Sequence, residues 1–77
     1  MSDVKRNLIG GRVRLARNSA NLKITQLELS ARLQMLGVDI EDSTIGKIEN
    51  GVSAVTDVQL AAFAKALNVT TSWLLGE

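Results

Sequence analysis

The stretch "EDSTIGKIENG", Glu41 to Gly51, sets two acids, a hydroxyl and a lysine at helical spacing. Ser43 and Lys47 lie four residues apart, so on a helix they project from one face, with Asp42 ahead of them at the N-terminal end. Such groups donate and accept hydrogen bonds. The chain has no histidine and no cysteine, and most nucleophilic and metal-assisted chemistry rests on one of these two side chains. Catalysis would be left to scattered carboxylates and lysines, so no enzyme is expected, and no cofactor or metal. No small-molecule ligand is evident. Without cysteine there is also no disulfide framework.

What positions this stretch must be small. Seventy-seven residues make one domain, residues 1–77, and a chain of this size buries only about 60% of its unfolded surface. Hydrophobic residues are 45% of the chain and aromatics 3%, a balance that suggests Leu, Val, Ile and Ala packed between short helices, an all-α fold. "MSDVKRN" is charged and leads into no apolar stretch long enough for a signal peptide; residues 1–6 are expected to form a flexible tail. The longest apolar run, Leu60 to Ala64, is far too short for a bilayer, so a soluble cytoplasmic protein without membrane contact is expected.

Net charge is +1, but it is unevenly spread. Residues 1–34 carry seven basic and two acidic side chains, +5; residues 35–77 carry two lysines and six acids, −4. Such polarisation suits a polyanionic partner, and equally a solvated basic helix face.

Proline is absent, so helix ends are read from caps and glycines. Ile9, Val13, Ala16 and Ala20 predict an amphipathic helix over about 6–20, weakened by Gly10-Gly11. Thr25 with Glu28 makes a capping box for a second helix, 26–36, and Gly37 stops it. The third helix turns Ile45 and Ile48 inward beside Thr44 and stops at Gly51. Thr56 with Gln59 opens a core-filling fourth helix whose apolar face holds Val58, Leu60, Ala61, Phe63, Ala64 and Leu67. A short fifth helix, capped by Thr70 or Thr71, presents Trp73, Leu74 and Leu75 before Gly76.

In this order "RVRLAR", "ITQLELSARL", "STIGKIENG", "LAAFAKALNV" and "WLL" resemble the lambda-repressor-like, Cro-type (xenobiotic-response-element-type) helix-turn-helix regulators of bacteria and phage. The resemblance implies a compact five-helix DNA-binding domain, usually a homodimer, whose third helix enters the major groove of double-stranded DNA. It puts base reading on Asp42, Ser43 and Lys47, with Thr44 and Gly46 close by. It also implies supporting or phosphate contacts from Arg14, Thr25, Gln26, Asn50 and Ser53, and a structural salt bridge between Arg17 and Glu49. Three departures stand out. The segment from Leu33 to Ile45 needs an extended turn. The loop from Arg17 to Thr25 is a residue or two longer than usual, and Glu41 and Asp42 stand where relatives carry uncharged or basic residues.

Three readings of the two acids stay open. They complement the helix N-terminus as caps; they accept from cytosine N4 in the major groove; or the helix serves a protein partner. Attraction to phosphate would then fall to Lys47, Lys23, the arginines of the first helix and amides at helix starts. The function expected is a sequence-specific DNA-binding transcriptional regulator, repressing as a dimer on an operator or serving as a controller or antitoxin subunit. The alternative is a protein-interaction module, antitoxin-like or anti-repressor. Dimer contact is expected to involve Trp73, Leu74 and Leu75, which carry more apolar surface than a short helix easily buries.

Overall fold

Caps and left-handed turns set the helix boundaries in the computed structural model, which describes residues 6–77. Five helices follow in order: α1 Arg6–Arg17, α2 Gln26–Met35, α3 Asp42–Glu49, α4 Asp57–Leu67 and α5 Thr71–Leu75. The fold is all-α. Residues 1–5 of the expected tail lie outside the described residues, and Arg6, assigned to that tail, already begins α1.

The two capping boxes form: Thr25 and Thr56 accept from the backbone N–H of Glu28 and Gln59, whose side chains accept in return. Thr70 alone caps α5, accepting from the Trp73 N–H. At the C-terminal ends of α2, α3, α4 and α5 a left-handed residue, Gly37, Gly51, Asn68 or Gly76, stops the helix. Beyond α3, Gly51 sits at φ +76; its N–H donates to the Ile48 carbonyl at 3.0 Å, and the Val52 N–H to that of Lys47 at 2.8 Å. Asn68, at φ 60, does the same for α4.

α1 is shorter than its apolar spacing predicts. The Arg17 carbonyl accepts from the Ile24 N–H, and that of Ser19 from Leu22 and Lys23, so the loop takes the bonds that a continuing helix would use. Ala20 is therefore exposed outside the helix. The apolar face of α4 is also rotated from the one expected, with Ala62 and Ala66 joining it and Leu60 half-buried at its edge. Ala62, Phe63, Ala64, Ala66 and Leu67 are buried, whereas Val58 and Ala61 are exposed, because α2, α1 and α5 all cover the opposite side.

One core joins the helices, with Phe63, Leu29, Leu33, Ile45, Val13 and Leu74 fully buried. Burying a side chain of the larger kind contributes about 1.5–3 kcal/mol before entropy is counted. The extended turn between α2 and α3 is pinned twice, by burial of Ile40 and by the Ser30 hydroxyl, which donates to the Ile40 carbonyl at 2.6 Å. At the far end, Arg12 lies over the Trp73 ring, 4.9 Å from its centroid, and ties α5 to α1.

Gly10 explains the glycine pair that weakens the helix signal. A Cβ there would stand 2.4 Å from the Ile48 carbonyl oxygen and 3.0 Å from that of Glu49, so α1 crosses the end of α3 with backbone against backbone. Gly11 has nothing near its missing Cβ. We expect Gly10→Ala to destabilise the protein by about 1–3 kcal/mol through overpacking. Gly11→Ala should leave it unchanged or stabilise it by about 0.5–1 kcal/mol. Paired thermal melts decide the matter; equal melting temperatures for the two variants would contradict the assignment.

Candidate nucleic-acid interface

α3 has two faces with separate duties. Inward it buries Ile45, Ile48 and the Glu49 side chain, the last fully removed from solvent. A buried carboxylate needs donors for both oxygens. Arg17 meets it side-on, donating from Nε to Oε2 at 2.7 Å and from Nη2 to Oε1 at 3.0 Å. Gln26 Nε2 donates to Oε1 at 3.1 Å and Arg14 Nε to the same oxygen at 3.3 Å. Burial alone would raise the Glu49 pKa, but the hydrogen bonds from Arg17, Gln26 and Arg14 outweigh it and hold the carboxyl below the usual glutamate value. The Arg17 guanidinium, hydrogen-bonded to Glu49, is held above its ordinary value.

The cluster extends past the carboxylate. Arg17 Nη1 donates to the Ile24 carbonyl at 3.1 Å, linking α3 through α1 to the approach of α2. Arg14 Nη2 donates to Asn50 Oδ1 at 2.6 Å. Because a guanidinium only donates, Asn50 must turn its oxygen to Arg14, leaving its NH₂ as the group available to an outside acceptor. Gly46 is half-buried against Gln26: a Cβ there would lie 3.4 Å from Nε2.

Outward, α3 exposes Asp42, Ser43 and Lys47, with Glu41 before and Asn50 after them; Thr44 is half-buried. Glu41 is the N-cap residue and makes no side-chain cap hydrogen bond, and Asp42 is the first helical residue rather than the cap. Capping by either carboxylate, one of the three readings, therefore reduces to a favourable charge near the helix N-terminus. The Thr25 hydroxyl accepts the α2 cap bond beside Gln26. Ser53 follows the α3 stop, its N–H donating to the Lys47 carbonyl at 3.3 Å.

Apart from Thr25, Thr44 and Ser53, the predicted site residues thus fall into two groups. Arg14, Arg17, Gln26, Gly46, Glu49 and Asn50 meet in one network, while Asp42, Ser43 and Lys47 stand on the open face. Sequence reasoning missed Gly10 and the meeting of Arg14 and Gln26 on Glu49. The signal was there: residues 10, 14 and 17 are spaced four and three apart, one stripe of α1.

Among the described residues, four arginines of the basic first half have partners within the fold. Arg12 stacks on Trp73, Arg14 and Arg17 face Glu49, and Arg32 Nη1 donates to the Ala66 carbonyl at 3.1 Å. Arg17 is thus committed to the fold, whereas Arg14 keeps about half of its side chain exposed beside α3. Among the described residues no group of carboxylates is placed to hold a metal ion, and no helix is long and apolar enough to cross a membrane.

Removing Arg17 leaves a buried carboxylate short of its closest partner. We expect Arg17→Ala to lower stability by up to about 3–5 kcal/mol; an unchanged melting temperature would contradict this. Since Glu49 has a depressed pKa in the folded state, its stabilising effect is complete above the unfolded glutamate value. That effect is lost as pH falls through the folded value. In Glu49→Gln that part of the acid dependence should vanish, as read by denaturant unfolding at a series of pH values from neutral downwards.

A family model described as helix-turn-helix matches residues 13–74, from Val13 in α1 to Leu74 in α5. Neither curated proteins nor solved structures give a match. The matched span takes in α2, the extended turn and α3 together with the helices that clamp them, and the chain belongs to the lambda-repressor/Cro-like helix-turn-helix family of DNA-binding regulators.

Proposed function

We propose that the protein is a sequence-specific repressor that binds an operator as a homodimer, with α3 in the major groove. The observation that carries this reading is the division of α3: one face locked to α1 and α2 through Glu49, the other free of structural contacts and carrying Asp42, Ser43 and Lys47. Lys47 donates to guanine O6 or N7, Ser43 donates or accepts, and Asp42 accepts from cytosine N4 while disfavouring bases that offer only acceptors there. Asn50 Nδ2, Arg14, the Thr25 and Ser53 hydroxyls and main-chain amides supply phosphate contacts, with Gln26, Thr44 and Gly46 supporting the reading helix. Glu41 is a solvated bystander. The reading implies a bacterial or phage regulator working in the cytoplasm.

A two-fold dimer doubles a lean set of phosphate contacts and reads half-sites about 34 Å apart. Leu74 has no surface to give such a contact, being fully buried, whereas Trp73 and Leu75 are half-buried on α5. The dimer contact is therefore assigned to Trp73 and Leu75. One observation favours a second reading, a protein-interaction module: Asp39, Glu41 and Asp42 are all exposed around the start of α3, a surface that repels phosphate.

Fluorescence anisotropy against genomic fragments at two salt concentrations separates the readings, since DNA binding weakens as salt rises. With Arg12 and Arg17 engaged within the fold, the dependence on salt should be shallow, reflecting few phosphates neutralised per protomer. On the best fragment, Lys47→Ala should lose about 1–3 kcal/mol and relax preference at one position, and Asp42→Asn should change the preferred base. If neither alters affinity or preference, α3 is not the reader and the protein-partner reading leads. Sedimentation at high micromolar concentration, with and without DNA, should reveal the dimer; monomer alone under both conditions would refute it.

A further inference from the structure

Five asparagines stand in the sequence, and only Asn50 is followed by glycine. An Asn–Gly pair carries its own chemistry. The main-chain nitrogen of the glycine can close a small ring onto the carboxamide carbon of the asparagine, and glycine has no side chain to hinder the approach. Asn50 is exposed and Gly51 half-buried at the end of α3, so water reaches the carboxamide.

In the folded chain the reacting atoms are kept apart. Asn50 sits at φ −90 and ψ 3, which eclipses the Gly51 nitrogen with the nitrogen of Asn50 itself and turns it away from Asn50 Cγ. The Gly51 N–H donates to the Ile48 carbonyl at 3.0 Å. The carboxamide is anchored from the other side, where Arg14 Nη2 donates to Oδ1 at 2.6 Å. Ring closure needs rotation about the Cα–C bond of Asn50, and that rotation breaks the stop of α3. The Ile48 carbonyl is also the group that a Cβ at Gly10 would strike, at 2.4 Å, so α1 presses on the acceptor that restrains the nucleophile.

We propose that Asn50 is a self-modification site, at which water deamidates the Asn50–Gly51 pair whenever the last turn of α3 opens. The Gly51 nitrogen gives its proton to water or hydroxide and attacks Asn50 Cγ. The N–Cγ bond forms, the Cγ–Nδ2 bond breaks, and Nδ2 leaves as ammonia with a proton from solvent. Water then opens the cyclic imide: addition at Cγ breaks the new N–Cγ bond and gives aspartate, while addition at the main-chain carbonyl carbon breaks the bond from that carbon to nitrogen and gives isoaspartate. An amide and water become a carboxylate and ammonium, with no oxidation or reduction. The aspartate product suits the fold, since the Arg14 guanidinium gains an anionic acceptor in place of a neutral one. It does not suit phosphate, because the Nδ2 donor is lost and a negative charge is set beside the half-exposed Arg14. That consequence rests on the DNA-binding reading of α3; the reaction itself does not.

Peptide mapping by mass spectrometry reads the reaction in the full chain, held at mildly alkaline pH with and without a denaturing concentration of urea. In urea, Asn50 should gain the mass of an amide-to-acid exchange ahead of every other asparagine. In the folded protein the same change should run roughly tenfold or more slowly, being limited by local opening. Gly10→Ala, kept well below its own melting temperature, should react faster than the folded parent. Asn50→Gln, which would have to close a larger ring, should stay unmodified in both states. On DNA, Asn50→Asp should keep the circular dichroism and melting temperature of the parent, bind roughly tenfold more weakly and lose about one unit of salt slope. Equal rates in the folded and unfolded chain would overturn the proposal, as would earlier modification at Asn18, Asn21 or Asn68, or a folded Gly10→Ala that reacts no faster than the parent. Binding by Asn50→Asp that matches the parent would refute the consequence for phosphate. A parent that binds no fragment removes the DNA reading, and the mass measurements still uphold or refute the site.

Discussion

Glu49 is a carboxylate withdrawn from water, and its charge is tolerable only where donors from α1 and α2 converge on it. This requirement fixes the arrangement of three helices at once. Arg17 must lie along the end of α3, Gln26 must open α2 beside it, and the loop between them must bring Ile24 back to the Arg17 guanidinium. Around that network the apolar core supplies most of the free energy. The network supplies direction, because charge-assisted hydrogen bonds are intolerant of small displacements in a way that apolar contacts are not.

α3 needs such external support. It is eight residues long, contains Gly46, and begins at Glu41 without a side-chain cap bond. A helix this short does not persist alone in water, where nucleation is unfavourable. Its conformation is imposed by Ile45, Ile48 and Glu49 on one side and by the left-handed turn at Gly51 on the other. The outward residues therefore carry no structural duty. Two acids at the start of α3 are compatible with the fold because the fold asks nothing of them but a charge near the helix N-terminus.

Much of this was legible in the residues themselves. The capping boxes at Thr25 and Thr56 and the glycine at position 51 mark helix ends by local hydrogen-bond chemistry, which needs no knowledge of the rest of the chain. What escaped was tertiary. The helical spacing of Ala20 with Ala16 says nothing of a loop that claims the Arg17 and Ser19 carbonyls, and the apolar character of Val58 does not say which side of α4 its neighbours cover. Asp42, read as a cap, proved to be one position inside the helix, an error of the size that separates N-cap from first turn. Charge misled more. Counting arginines in the first half suggested a cationic surface, yet Arg12, Arg14, Arg17 and Arg32 have internal partners, and a count cannot distinguish a charge offered to a ligand from one already engaged. Of the candidate reading residues, the exposure of Ser43 and Lys47 follows directly from the burial of Ile45 and Ile48, two positions fixed by helical period.

The contact at Gly10 has no side chain in it. Where side chains meet, a change of rotamer lets one helix creep along another in small steps, but two backbones pressed together have no such freedom to draw on. At Gly10, shear between α1 and α3 therefore has less room than at a contact made by side chains. On the proposed reading, control of DNA binding would then not proceed by sliding α3 along α1 at Gly10. It would act instead on where the whole domain sits against DNA, on how long it stays, or on how many copies arrive together.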